Sequence, residues 1–253
     1  MVAVERLDSI SLEGINAIAE LQTRVDRKYI VTPAVAAAFF DELPSQVQVL
    51  EIDGLREFGY ESIYFDTEGF DLYLATAQRR RLRYKVRSRV YTDSGMTVLE
   101  VKTKGPRKAT VKQRCDYSLA DVARLTDEAR LFVDASVGRD GASEGLRPTL
   151  TTRYRRTTLV DPESGSRLTF DRGLSCTDWL GVSVALEPMV IESKSAGGAS
   201  LFDKWLWRHG VRPTRISKFG TGLAALHPEL PSNKWHRTLE TWFRPQRQDR
   251  EPV

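Results

Sequence analysis

The sequence predicts an α+β fold in which eight or nine mostly hairpin-linked strands form a barrel or a sandwich, with helices at both ends and one between the halves. Two observations carry this prediction. Residues 79–114 alternate charged and apolar side chains through three consecutive segments, which is the period of β-strands. Similar segments recur on both sides of this stretch and are separated by turn residues.

The first strand of the basic stretch places four cations on one face and four apolar side chains on the other: Arg83, Lys85, Arg87 and Arg89 against Leu82, Tyr84, Val86 and Val90. Turn chemistry at residues 92–95 leads to a second strand over residues 96–104, which carries Glu100, Lys102 and Lys104 on one face. Gly105-Pro106 ends that strand, and a third begins near Thr110 with Lys112 and Arg114 on one face.

The predominance of one sign of charge indicates what the charged face does. An ordinary half-exposed sheet buries its apolar face and turns a mixed charged face to water. Like charges directly opposite on neighbouring strands repel, so a nearly all-cationic face favours a bound polyanion such as phosphate. A nucleic-acid-binding sheet carries exposed aromatic side chains for base stacking. The charged face of these strands is expected to carry no aromatic side chains. This expectation favours phosphate as the ligand and excludes nucleic acid.

The composition bounds the remaining possibilities. The chain has 253 residues, a formal net charge of +4 and no apolar run approaching the roughly 18 residues that span a bilayer. It has two cysteines and three widely separated histidines, so neither a disulfide framework nor a zinc site is predicted. With no signal-like N-terminus, a cytoplasmic location and no direct membrane span are expected.

The flanking elements follow in order. A helix is predicted over residues 9–22, a short strand with its own charged row over residues 23–31, and a helix begun by Thr32 and Pro33. Strands are predicted at residues 47–52 and 60–67, a loop or short helix at 69–77, a helix at 119–135 and a surface linker at 138–146.

The second half repeats this style. Strands are predicted at residues 150–160, 167–171 and 185–194, where Pro188 predicts a late start or an edge position. Helices follow at residues 200–209, 217–226 and 232–243. We expect one domain over residues 1–243 and a flexible tail over 244–253.

Phosphoryl chemistry needs cations around the non-bridging oxygens and usually a divalent metal held by carboxylates. The cation candidates are Lys28, Arg87, Arg89, Lys102, Lys112, Arg114, Arg156, Arg167, Lys194 and Lys218. The carboxylate candidates are Glu100 and Glu192, in matching Glu-x-Lys pairs, with Asp26 and Asp171 as weaker additions. Each of these charged residues, considered alone, could equally be an ordinary solvent-exposed side chain. Tyr154 either contacts a ligand or packs in the core. No glycine-rich phosphate loop is present.

Nine short segments, in order, resemble the catalytic domain of the vacuolar transporter chaperone (VTC) family, within the CYTH-like triphosphate tunnel metalloenzymes. They are RVDRKYIV, SIYFDT, KVRSRVY, VLEVKTK, TVKQR, RYRRTTL, RLTFD, IESK and RISKFGTG. The resemblance implies an eight-stranded antiparallel β-barrel that encloses a basic tunnel, with flanking helices. It also implies transfer of the ATP γ-phosphate to a growing polyphosphate chain, with ATP and inorganic polyphosphate as partners.

The resemblance assigns roles to individual residues. Phosphate contacts would come from Lys28, Arg87, Arg89, Lys102, Lys112, Arg156, Arg167 and Lys218, with Ser217 in the RISKFGTG segment as a further substrate contact. Glu192 would bind Mn²⁺ or Mg²⁺, and Tyr154 would lie near the nucleotide. Arg24-x-Asp26-x-Lys28 stands where the superfamily has Glu-x-Glu-x-Lys, which favours polymerisation over two-metal hydrolysis. Arg215 stands where polymerase members tend to have lysine.

The leading expectation is therefore a metal-dependent polyphosphate polymerase. A triphosphatase that uses the same tunnel and a module that only binds polyphosphate or nucleotide remain as alternatives. Polymerisation requires that Arg87, Lys102, Lys112 and Arg156 point into one enclosed channel.

Overall fold

A computed structural model of the chain describes residues 4–18, 25–104 and 110–243. These residues form eleven strands: β1 Asp8–Ile10, β2 Val25–Val31, β3 Gln48–Leu50, β4 Phe58–Asp66, β5 Tyr84–Tyr91, β6 Thr97–Lys104, β7 Thr110–Asp116, β8 Arg147–Asp161, β9 Ser166–Asp178, β10 Ser183–Leu186 and β11 Met189–Ser195. They also form seven α-helices: α1 Leu12–Ile18, α2 Pro33–Asp41, α3 Asp71–Ala77, α4 Asp127–Val137, α5 Leu201–Arg208, α6 Lys218–Leu226 and α7 His236–Trp242.

The chain divides into two compact units. The first comprises Met1–Phe58, Tyr154–Leu174 and Leu186–Ile216; the second comprises Gly59–Arg153, Ser175–Ala185 and Ser217–Val253. Strands follow the order β2-β11-β9-β8 in the first unit and β8-β4-β5-β6-β7 in the second, with β8 running through both. These two orders account for eight strands, and the pairings of β2, β11 and β9 and of β4 to β7 are antiparallel. The predicted α+β class with eight antiparallel strands and flanking helices is confirmed.

Alternation along the strands builds the core of the first unit. Tyr29 and Val31 of β2, Leu168 and Phe170 of β9 and Ile191 of β11 are buried in one apolar cluster. Helices α2 and α5 cover this cluster through their own apolar faces. Thr32 caps α2 by accepting a hydrogen bond from the Val35 N–H, and Pro33 is the first helical residue, as predicted.

The second unit repeats this design with α4 as the covering helix. Val86 of β5, Leu99 and Val101 of β6 and Ala129 and Val133 of α4 lie in one buried cluster. Because the charged positions alternate with these, the opposite face of the same strands carries the cations. The burial of Val86, Ser88 and Val90 confirms the predicted alternation along β5.

Three helix predictions and the linker prediction are wrong in part; the helix expected over residues 232–243 spans only His236–Trp242. The helix expected over residues 119–135 starts only at Asp127, because Thr126 is the N-cap and residues 119–121 form a separate 3₁₀ turn. The linker expected at the surface over residues 138–146 buries Ala142, Ser143 and Leu146. The helix predicted from residue 9 begins at Leu12, since residues 8–10 pair with β3 instead.

Strand boundaries also differ from the predictions. Strands β8 and β9 extend beyond their predicted ranges, whereas β11 starts late, directly after Pro188, as predicted. Arg24, the turn at Gly105-Pro106 and the tail predicted over 244–253 lie outside the described residues. Among those that are described, no helix combines the length and apolarity needed to cross a membrane.

Candidate functional site

Strand β5 supplies the central cations of the second unit. Lys85, Arg87 and Arg89 alternate with the buried Val86, Ser88 and Val90, so the three cations share the face that the core does not occupy. Arg89 is itself only 7% exposed. A buried guanidinium requires a compensating negative charge or polar contacts, and the neighbouring strands provide both.

Glu100 of β6 is the negative centre of this face. Its side chain is 2% exposed, and its Oε2 lies 2.7 Å from Arg87 Nε and 3.8 Å from Arg89 Nη1. Its Oε1 accepts a hydrogen bond from Lys112 Nζ at 2.9 Å. Burial would raise the pKa of Glu100, but the charges of Arg87, Arg89 and Lys112 outweigh burial and hold that pKa well below its ordinary value. Glu100 is therefore held in its ionised form near neutral pH, and its carboxylate positions the cations around it.

Polar side chains of β4 complete the positioning of the two arginines. Arg87 donates from Nη1 to the Tyr64 hydroxyl at 2.9 Å, and Arg89 donates from Nε to Ser62 Oγ at 3.3 Å. Sequence reasoning did not select Tyr64 or Ser62 as functional residues. Their positions directly opposite Arg87 and Arg89 follow from the β4–β5 register, which no local pattern reveals.

Three lysines lie in register across this face. Lys85 of β5 is directly opposite Lys102 of β6, which is directly opposite Lys112 of β7. Lys102 and Arg114 are exposed, and the Lys112 side chain is 48% exposed. Lys85 was absent from the predicted site residues although it shares the face of Arg87. The arrangement concentrates positive charge at the solvent-accessible edge of the face.

The start of α6 brings two further predicted residues to this unit. Ser217 is the N-cap of α6 and accepts hydrogen bonds from the Gly220 N–H at 3.2 Å and from Lys85 Nζ at 2.9 Å. Lys218, the first residue of α6, is half-buried. Because Ser217 contacts Lys85, the structure places the RISKFGTG segment at the cationic face of β5.

The first unit carries a second charged face. Lys28, Glu192 and Thr169 lie side by side across β2, β11 and β9, and Asp26, Lys194 and Arg167 form the next row. Glu192 Oε2 is 3.9 Å from Lys28 Nζ, and Glu192 Oε1 is 3.5 Å from Lys194 Nζ. The predicted Lys28, Lys194, Arg167 and Glu192 are thus brought together by strand register.

Arg156 and Tyr154 of β8 belong to the same unit. Arg156 is ion-paired with the buried Asp171, and its guanidinium carbon lies 5.3 Å from the centre of the Tyr154 ring. Tyr154 is 4% exposed and therefore packs as a core side chain beside the arginine. The expectation that Arg87, Lys102, Lys112 and Arg156 line one enclosed channel stays a prediction.

The two carboxylates predicted as metal ligands differ in how well they suit a divalent ion. Glu100 is 2% exposed, and its two oxygens are bonded to Arg87 at 2.7 Å and to Lys112 at 2.9 Å, so this donor set does not fit a metal. Glu192 is 21% exposed and has longer contacts to its lysines, and the Thr169 hydroxyl directly opposite it is buried with no hydrogen-bond partner among the described residues. Carboxylate and hydroxyl oxygens are hard donors that suit Mg²⁺ or Mn²⁺. In the described part of the chain, no group of three His, Cys, Asp or Glu side chains could hold a metal.

The expectation that the charged face lacks aromatic side chains is wrong. Tyr91 at the end of β5 shares the face of Arg89, and β4 adds Tyr60 and Tyr64. Tyr64 is 5% exposed and stacks on Phe219 at 5.1 Å, while Tyr60 and Tyr91 pack on each other at 5.2 Å. These rings are packed against side chains and against the arginines, so they do not form the exposed stacking platform that single-stranded nucleic acid uses.

Comparison with known proteins identifies relatives of the chain. The family model described as the VTC domain matches residues 23–227. No curated protein matches the chain. Among solved structures, HpAC1 from Hippeastrum, described as a candidate adenylyl cyclase with a dominant triphosphatase activity, aligns with a TM-score of 0.51 and 15% identity over 80% of this chain and 96% of its own. This similarity shows a shared fold.

A second solved structure, a candidate adenylate cyclase from Vibrio parahaemolyticus, has 12% identity and a TM-score of 0.45 over 80% of this chain and 98% of its own. A conserved hypothetical protein from Pyrococcus furiosus has 11% identity and a TM-score of 0.42 over 78% of this chain and 99% of its own.

Proposed function

The chain belongs to the VTC domain family, and we propose that it is a metal-dependent polyphosphate polymerase that transfers the γ-phosphate of ATP to a growing polyphosphate chain. The cationic face of the second unit is the proposed phosphate site. Arg87, Arg89, Lys102, Lys112 and Lys218 would contact phosphate oxygens there, with Lys85, Arg114 and Ser217 beside them. On the charged face of the first unit, Lys28, Arg156, Arg167 and Lys194 are proposed as further phosphate contacts, whereas Tyr154 packs in the core.

One observation supports a polyanionic substrate above the others. Lys85, Lys102 and Lys112 lie directly opposite one another on three adjacent strands. Like charges opposite each other on a sheet destabilise it, and Glu100, two residues before Lys102 on β6, supplies a carboxylate beside this row. A string of phosphates would relieve this repulsion along the whole row.

The arrangement of donors suits phosphoryl transfer. An oxygen of the terminal phosphate of the growing chain would attack the ATP γ-phosphorus, forming a new P–O bond, while the bond to the β-phosphate oxygen breaks and ADP leaves. Arg87 and Arg89, held by Glu100, Tyr64 and Ser62, would present fixed positive charge to the non-bridging oxygens. The attacking group is part of the substrate, so no protein nucleophile is required.

Glu192 is the residue we propose to hold the divalent ion, together with the Thr169 hydroxyl. When bound, Mg²⁺ or Mn²⁺ supplies charge neutralisation at phosphate oxygens. A single carboxylate with substrate phosphates is an ordinary way to bind Mg²⁺. Lys28 and Lys194 flank this carboxylate and would bind phosphates that approach it.

Triphosphate hydrolysis is the second candidate function. The shared fold with HpAC1, whose triphosphatase activity is described as dominant, favours it. Hydrolysis by two metals calls for more carboxylates than Glu192 offers, and Glu100 is occupied by cations. We therefore rank it below polymerisation, and a module that only binds phosphate below both.

Incubation of the purified protein with ATP and Mn²⁺ tests the proposal. Polymerase activity yields long-chain polyphosphate and one ADP for each phosphate unit added, measured by gel electrophoresis and nucleotide chromatography. Lys102→Gln removes one exposed cation of the lysine row and should lower the rate about tenfold, since charge-assisted phosphate contacts are strong. Arg237→Gln, which removes an exposed cation from α7, is the matched control. Release of phosphate without chain growth would select hydrolysis, and binding without turnover in any metal would select the binding module.

A further inference from the structure

A groove of about 560 Å³ lies along α5 in the first unit, outside the proposed phosphate site. Its lining consists of Leu201, Lys204, Trp207, Arg208 and Arg212. This volume is in the range of pockets that hold small organic ligands, roughly 300–1,000 Å³. The groove combines an apolar floor with three cations.

The groove and the charged face of the same unit lie on opposite sides of the sheet. Ile191 of β11 points into the core that α5 covers, and Ser193 contacts the α5 N-cap Ser200 at 3.0 Å. Glu192 and Lys194 alternate with these two residues and therefore face the other way. A ligand in the groove would not compete with a phosphate chain at Glu192.

The three cations of the groove have no acidic partner in the part of the chain that the structure describes. Lys204 and Arg208 are four residues apart on α5, which places them on one side of the helix, and Arg212 follows shortly after the helix. All three are exposed, and within the described residues none has a carboxylate within ion-pair distance. The acidic residue of α5, Asp203, is buried and bonded to Arg27 and Tyr29.

The indole of Trp207 is held rigidly at the floor of the groove. Its Nε1–H donates to the Tyr29 hydroxyl at 3.1 Å, and the Arg27 guanidinium carbon lies 5.8 Å from the ring centre. Trp207 is half-buried and packs on the core of the unit, so binding a ligand requires little reordering of this side chain. A fixed indole beside cations is a combination that recognises a planar ring attached to an anion.

We propose that this groove is a second binding site that takes a mononucleotide. The base would pack on Trp207 and Leu201, and the phosphate would be bound by Lys204, Arg208 and Arg212. Inorganic polyphosphate has no apolar part to cover the floor of the groove, so the floor favours a nucleotide over a bare phosphate chain. The site is independent of the chemistry proposed for the charged faces.

Isothermal titration of the full chain with AMP tests this inference. The wild-type protein should bind AMP, and the double substitution Arg208→Glu with Arg212→Glu should weaken binding by roughly tenfold or more. Trp207→Leu should weaken it as well, whereas Trp207→Phe, which keeps an aromatic ring, should weaken it less. Arg237→Glu reverses an exposed helical charge elsewhere and should leave AMP binding unchanged.

Tripolyphosphate serves as the second probe and separates the two sites. The Arg208→Glu, Arg212→Glu protein should bind tripolyphosphate as the wild type does, and Lys102→Gln should weaken tripolyphosphate binding but not AMP binding. Absence of AMP binding to the wild type, or equal AMP affinity in the groove variants, would overturn the nucleotide site. Groove-dependent binding to vesicles containing anionic phospholipid, without AMP binding, would overturn it in favour of a lipid surface. If Lys102→Gln binds tripolyphosphate as tightly as the wild type does, the proposed phosphate site is wrong, while the AMP result for the groove still stands.

Discussion

Arg156 binds Asp171 through two parallel hydrogen bonds, from Nε to Oδ1 at 2.6 Å and from Nη2 to Oδ2 at 2.8 Å. The Arg156 side chain is 15% exposed and Asp171 is 2% exposed. A bidentate pair of this kind fixes the plane of the guanidinium. A residue predicted to bind phosphate is thus held in place by a residue predicted, more weakly, to bind metal.

Asp171→Asn should destabilise the fold and weaken phosphate binding together. Removal of one partner of a buried ion pair leaves the other charge uncompensated, which costs about 3 kcal/mol of unfolding free energy. Urea denaturation measures this loss, and titration with tripolyphosphate measures the binding. Glu61→Gln, which breaks the exposed Arg153–Glu61 pair, is the control and should cost less than about 1 kcal/mol. If Asp171→Asn and Glu61→Gln lost the same unfolding free energy and the same tripolyphosphate affinity, a special role for the Arg156–Asp171 pair would be refuted.

Glu100→Gln should lower stability in a way that a polyanion restores. The substitution removes the negative charge among Arg87, Arg89 and Lys112, and their repulsion should cost about 3 kcal/mol. Tripolyphosphate neutralises the same cations, so it should raise the melting temperature of the variant more than that of the wild type. Glu68→Gln, at an 87% exposed side chain, is the control and should respond as the wild type does. A larger shift in the wild type would contradict the placement of phosphate at this face.

Acid should remove the contribution of Glu100 to stability. The folded-state pKa of Glu100 lies below its ordinary value, because the surrounding cations outweigh burial. A depressed folded pKa stabilises the protein above the unfolded pKa of about 4.3, and this stabilisation is lost as the pH falls through the folded value. The stability difference between the wild type and Glu100→Gln should therefore be constant from pH 5 to 8 and shrink below about pH 4. A difference that stays constant down to pH 3 would argue against an ionised Glu100.

Asp66 should make stability depend on pH in the opposite sense to Glu100. Burial raises the pKa of its carboxyl group to about 6, although it accepts hydrogen bonds from the N–H groups of Leu72, Tyr73 and Thr67. Because the folded-state pKa is raised, the contribution of Asp66 to stability is fully present below the unfolded-state pKa of about 3.9. This contribution is lost as the pH rises through about 6. Between pH 4 and 6, the wild type should lose about 2 kcal/mol of stability relative to Asp66→Asn. Chemical denaturation at several pH values measures how the unfolding free energy of the wild type and of Asp66→Asn changes with pH. An identical pH dependence in the two proteins would contradict the raised pKa of Asp66.

Gly220→Ala should displace α6 and with it Ser217 and Lys218. A Cβ atom at residue 220 would overlap the ring of the buried Trp235. Overpacking of this kind costs roughly 1–3 kcal/mol, and we expect a lower melting temperature together with weaker tripolyphosphate binding. Gly69→Ala, where a Cβ meets nothing within 4 Å and φ is not positive, should change neither quantity.

Local pattern was sufficient for the strands that carry the cations. The period-two alternation of Arg87 and Arg89 with Val86 and Val90 predicts which side chains share a face, and the structure confirms that face. Thr32-Pro33 likewise predicts the start of α2. Nine short segments in family order were enough to predict the VTC family. These features depend on neighbours within a few residues, which is why the sequence reveals them.

Long-range register decided the rest. Glu100 appeared in the sequence as a metal ligand, but strands β5 and β7 place Arg87 and Lys112 against it and make it the counter-charge of the face. Tyr64 gained its role from its position opposite Arg87, and residues 138–146 were partly buried although their composition is that of a surface loop. The period-two pattern of a strand specifies the face to which each side chain points. The charged groups that contact this side chain come from strands and helices that are distant in the sequence, so only the tertiary structure decides them.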